Sequence, residues 1–194
     1  MSRAEPQSAK RRQINIPILI ILAIGLCSSA TIIHQTNTAR ERARRADCAG
    51  NFRQIGMSLH MYSGDHREKF PDNLHVLQPY LKQPMLFQCP STDWRSTPRV
   101  TFSNAHLHGS YFYVAGLNEY SADSDMVHMF DDPRSHGKEG GNILYVGGYV
   151  QWAPEDHFWH ILEVSGISKD MVLSATSKII RVEDLLPRPE RESL

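Results

Sequence analysis

The sequence has 194 residues and a mass of 22.1 kDa, room for one domain of ordinary size plus an accessory helix. Its 41% hydrophobic, 22% charged and 9% aromatic residues exclude a collagen-like, mucin-like or wholly disordered chain. With 21 basic against 21 acidic residues there is no global basic field to recruit nucleic acid, although residues 1–45 carry a net +6 and the remainder a net −6.

After a basic segment at 1–13, the run Ile14–Ile33 holds twenty residues without a Lys, Arg, His, Asp or Glu. As a helix it would span about 30 Å, the thickness of a hydrocarbon core. Pro17 falls in the first turn, where a missing N–H costs least. Two readings fit: an uncleaved transmembrane helix at 14–33, which we favour, or a signal peptide with a basic start (Lys10, Arg11, Arg12), an apolar core and a small-residue site at Ser28-Ser29-Ala30. Basic residues flank both ends, but the N-terminal cluster abuts the run. This favours a cytoplasmic N-terminus, with the main domain outside the cell membrane.

Helical character continues to about Ser63, because Phe52, Ile55, Leu59 and Tyr62 recur on one face and Ser63-Gly64-Asp65 is a stop signal. Together with the apolar run this makes one helix of about fifty residues, roughly 75 Å long. Leu74–Leu81 reads as a short helix or turn and 91–109 as loop. Ser110–Leu117 and Met126–Phe130 are expected strands. Asn142–Val146 and Tyr149–Trp152 form a hairpin turned by Gly147-Gly148. Beyond Pro154, helices are expected to Val164 and from Ser168 to Arg181, then a loose tail. The fold class is therefore α+β. A long, partly transmembrane N-terminal helix packs on a small antiparallel sheet of about four strands in residues 34–153, with a C-terminal helical extension over 154–194.

Residues 39–71 resemble the segment that follows the anchor in pilin-like proteins of the type II secretion pseudopilin kind, above all a large group in planctomycetes, verrucomicrobia and their relatives. The matching residues are Ala39, Arg40, Ala43, Arg44, Arg45, Cys48, Asn51, Gln54, Ile55, Gly56, Tyr62, Phe70 and Pro71, then Cys89-Pro90. His136–Val150 resembles their closing motif, a His followed after nine residues by Asp-Gly. Here ten residues intervene and the Asp is replaced by Gly147. The family's Gly-Phe-Thr-Leu cleavage signal and its Glu near the mature N-terminus are also missing, which bears against both processing and polymerisation. The resemblance implies a pilin-like fold and a structural role in a type II secretion or type IV pilus-like system, with membrane lipid and other pilin-like subunits as partners.

If the domain lies outside the cytoplasm, Cys48 and Cys89 would form a disulfide closing about forty residues, for a stabilisation of about 4 kcal/mol on the loop-entropy model. Free buried thiols are the alternative. Cys27 lies in the apolar run and has no partner of its own. His128, Asp131 and His136 form a candidate metal site for zinc or another divalent ion, weighed against loop residues that order the sheet edge. No nucleophile elbow, P-loop or His-Glu-x-x-His occurs, so neither an enzymatic activity nor a cofactor is expected. The runner-up function is a secreted or periplasmic ligand- or metal-binding module released by signal peptidase.

Overall fold

The computed structural model of the protein describes residues 16–92 and 98–185. The basic segment 1–13, the first two residues of the apolar run, part of the 91–109 loop and the tail beyond Leu185 lie outside them. The chain divides into two units, residues 1–40 and 41–194.

Helix α1 runs Ile16–Asp65, as the merged apolar and amphipathic patterns require. In the first unit its described large apolar side chains are exposed, among them Ile21 at 68% and Leu26 at 72%. The described hydroxyls there are satisfied within the helix. Ser28 Oγ donates to the Ile24 carbonyl (2.8 Å), Ser29 Oγ to that of Gly25 (2.7 Å) and Thr31 Oγ1 to that of Cys27 (3.0 Å). Back-bonding of this kind removes the hydroxyls as an obstacle to lipid. This helix is long and apolar enough to cross a membrane.

In the second unit, Cys48, Phe52, Ile55 and Leu59 are fully buried, a stripe at spacings of four, three and four. They face a five-stranded sheet made of β1 (Tyr111–Ala115), β2 (Val127–Asp131), β3 (Gly140–Tyr145), β4 (Val150–Pro154) and β5 (Ile179–Arg181), in the order β4-β3-β2-β1-β5. Every residue of β1, β2 and β3 is buried, so both faces are covered. On one face Phe52 packs against Tyr111 (ring centroids 4.5 Å). Gly56 lets the helix come down on Leu144, since a Cβ there would lie 3.2 Å from Leu144 Cδ1. On the other face Phe112 stacks on Phe130, and Phe130 meets Phe158 of α3 (Glu155–Val164).

Four expectations need correction. The sheet is mixed, not antiparallel, because β5 pairs parallel to β1 with Tyr113 opposite Ile179. It does so in place of the expected helix to Arg181. Helix α4 covers only Lys169–Ser174, and the β-branched pair Ile179-Ile180 is drawn into the sheet by backbone bonds from Tyr113 N to Lys178 O (2.7 Å) and from Lys178 N to His106 O (2.6 Å). His106 belongs to a one-turn helix, Ala105–His108, inside the expected loop. Four residues, Val146–Tyr149, separate β3 from β4, and the first three form the hairpin loop, closed by Gly148 N to Tyr145 O (2.9 Å) and Tyr145 N to Tyr149 O (3.0 Å). Gly148 alone takes the left-handed conformation (φ +81), as the last residue of a three-residue hairpin loop does. The short helix at Leu74 is 3₁₀ and spans Leu74–Leu77.

Candidate functional site

The second unit brings Cys48, Cys89, Asp131 and His136 together in a fully buried cluster, with one potential donor atom from each lying within 4.8 Å of the others. Four different segments deliver them. Cys48 begins the buried stripe of α1. Cys89 follows the 3₁₀ turn Pro84–Phe87. Asp131 ends β2 directly opposite Tyr111 of β1, which turns it toward α1. His136 sits in a tight turn with left-handed backbone at His136, Gly137 and Lys138 (φ 52, 63 and 65). Two of these are non-glycine residues, a strained conformation that the surrounding packing must hold.

A second ring of polar groups fixes each of the four. His136 Nδ1 lies 2.7 Å from Glu41 Oε1 and 2.9 Å from Ser91 Oγ, while Ser91 Oγ donates to the same Glu41 oxygen at 2.8 Å. The proton on Nδ1 thus points to Glu41, leaving Nε2 to face Cys89 Sγ (3.3 Å) and Asp131 Oδ2 (3.3 Å). Asp131 Oδ2 accepts from Asn142 N (2.7 Å) and Asn142 Nδ2 (3.0 Å), whereas Asp131 Oδ1 is buried without a hydrogen-bond partner. Tyr111 OH donates to Cys48 Sγ and Ser91 N–H to Cys89 Sγ, both at 3.4 Å. Arg45 lies over Trp152, which meets the His136 ring edge-on, and Arg45 pairs with Glu139.

The electrostatics follow from this crowding. Burial alone would lower the His136 pKa, but hydrogen bonds to Asp131 and Cys89 and their negative charge win and raise it to about 10. The two thiols diverge. Hydrogen bonding between them raises Cys48, with burial adding to it, and lowers Cys89, to which His136 also contributes. Burial would raise the Glu41 carboxyl, but hydrogen bonds from His136, Ser91 and Arg44 bring it below its ordinary value.

Of the candidates read from sequence, Asp131 and His136 meet here, but His128 does not. It is buried between Phe70 (4.3 Å) and Tyr113 (5.4 Å), where burial drives its pKa down to about 3. The metal site His128, Asp131, His136 is therefore not the grouping the fold makes. Nor is the Cys48–Cys89 disulfide made: both are free thiols, neighbours in a polar cluster. Gly147, where the resembling proteins carry Asp, lies at the hairpin tip beside Ser124 and Tyr149. Glu41, Ser91 and Asn142 were missed, since they carry no local motif and meet only through the tertiary fold. The line Cys89–His136–Glu41 has the order of a thiol–imidazole–carboxylate triad, but the sulfur and the ring are buried and Asp131 occupies the imidazole's reactive edge.

A family model described as a protein of unknown function (DUF1559) matches residues 37–80. That stretch contains Glu41 and Cys48 and all of the buried stripe of α1. No curated protein and no solved structure matches the chain.

Proposed function

We propose that this is a pilin-like, single-pass membrane protein with a structural role in a type II secretion or type IV pilus-like assembly. The N-terminus is cytoplasmic and residues 41–194 stand outside the membrane. The observation that carries this reading is the division of labour along α1. Its early residues expose isoleucine and leucine with every described hydroxyl turned back onto the helix, while its later residues form the core of an α+β domain. The match at 37–80 supports it, because it falls on the junction between these two parts. Arg40, Arg42 and Arg44 just beyond the apolar run suit anionic headgroups, and the apolar run suits lipid or the helix of another pilin-like subunit. The role is one of assembly rather than catalysis.

The test is the intact mass of the protein in its native membrane, combined with alkaline carbonate extraction and protease treatment of spheroplasts. Full-length protein that resists extraction, with its domain digested from outside, is the expected result. A soluble species short by about thirty residues would replace this reading with a module released by signal peptidase.

A further inference from the structure

We infer that Cys48, Cys89, Asp131 and His136 form a closed, four-coordinate site for a structural divalent metal of the zinc class. This does not depend on how the chain is anchored or with what it assembles.

Four observations point the same way. Two thiolates, an imidazole and a carboxylate are the donor types that select zinc among the abundant divalent ions. For metal–ligand distances of about 2.0–2.3 Å, a tetrahedron has donor–donor edges of about 3.3–3.8 Å. The donors here lie within 4.8 Å of one another, with His136 Nε2 already 3.3 Å from both Cys89 Sγ and Asp131 Oδ2, so small side-chain movements suffice. The outer shell has the form ligands require: Glu41 holds the distal imidazole nitrogen, hydrogen-bond donors point at both sulfurs, and Asn142 clamps one oxygen of Asp131. The remaining oxygen, Oδ1, is a fully buried acceptor with nothing to accept from, which a cation would satisfy. All four donors are protein groups in the interior, with no position open to substrate, so the site is structural. On binding, each thiol still protonated and the His136 Nε2–H release their protons to solvent, and the metal takes the place of those protons on sulfur and nitrogen.

A triad nucleophile at Cys89 is the competing chemistry, and the burial of its sulfur with Asp131 at the imidazole edge disfavours it.

The test uses the full chain in detergent with Cys27→Ser, so that every thiol signal belongs to the cluster. Purified without chelator, it should carry about one zinc per chain. Stripped under reducing conditions, it should give on cobalt addition the thiolate charge-transfer and intense visible bands of a tetrahedral site. Adding Cys48→Ser with Cys89→Ser should abolish both. Glu41→Gln alters no donor and guards against simple misfolding. It should keep the cobalt spectrum but weaken zinc binding about 10–100-fold in a chelator competition. The inference is overturned if the parent chain carries no stoichiometric metal and its reduced form gives no cobalt–thiolate bands. A Cys48–Cys89 disulfide in the purified chain, or rapid stoichiometric alkylation of Cys89 that zinc does not slow, would also overturn it.

Discussion

His128 should make the fold acid-sensitive in a way that one substitution removes. Its ring is enclosed by Phe70 and Tyr113, its Nε2 has no hydrogen-bond partner, and the nearby His60 adds repulsion to the dominant effect of burial. The pKa consequently falls from 6.5 to about 3 in the folded protein. For a depressed histidine the unfolded chain binds the proton first. Stability from this group is therefore complete above pH 6.5 and is lost progressively as pH falls toward 3. At about 1.4 kcal/mol per pH unit, the loss between pH 7 and pH 5 is about 2 kcal/mol. With a urea slope of about 2 kcal/mol/M, that is a fall of about 1 M in the unfolding midpoint. The assay is urea unfolding of the full chain in detergent at both pH values, for the native sequence and for His128→Leu. Other titrating groups contribute alike to both proteins, so the difference of differences isolates His128. Equal acid shifts in the two would refute the argument and mean that the imidazole is protonated or solvated in the fold.

Three other consequences can be checked by the same unfolding measurement and a fourth by membrane extraction. Gly56→Leu drives a side chain into Leu144, already 3.2 Å from a Cβ at that position, and should cost about 1–3 kcal/mol. Phe158→Ala removes the ring that seats α3 on Phe130 and should cost about 3–5 kcal/mol. Lys178 pairs with the mostly buried Asp132 and lies over Phe112. Lys178→Met should cost about 2 kcal/mol, less than a fully buried pair would, and adding Asp132→Asn should recover part of it in a double-mutant cycle. In the apolar run, Ile21→Arg with Ile24→Arg adds about 2.5–3.5 kcal/mol per charge to insertion. This should move the protein out of the carbonate-resistant fraction, and full retention there would count against a membrane-spanning helix.

Much of the architecture was legible because its signals are local and repeated. The buried stripe of α1, the aromatic run of β1 and the hairpin across Gly147-Gly148 each announce themselves within a few residues. The fifth strand did not. Met171, Val172, Ile179 and Ile180 sit at helix-compatible spacings, and only the open edge of β1 makes residues 179–181 extended. The site was half legible for the same reason. Asp131 and His136 could be named as metal donors, and Cys48 and Cys89 as neighbours of each other. That the two pairs converge depends on the pairing of β1 with β2 and on the height at which α1 crosses them. Glu41 looked like one more charge among arginines, and the fold gives it a specific imidazole to hold.

The parallel strand bears on how the protein is made. Strand β1 is buried on both faces, yet one of its edges is closed only by residues 179–181, which leave the ribosome more than sixty residues later. Until they arrive, an aromatic, β-branched strand presents unpaired amides and carbonyls, a template for another nascent chain. At a synthesis rate of about 5–20 residues per second, that exposure lasts several seconds. Chains that stop short of β5 should therefore be prone to aggregation and dependent on chaperones, even though nearly all of the core is already encoded.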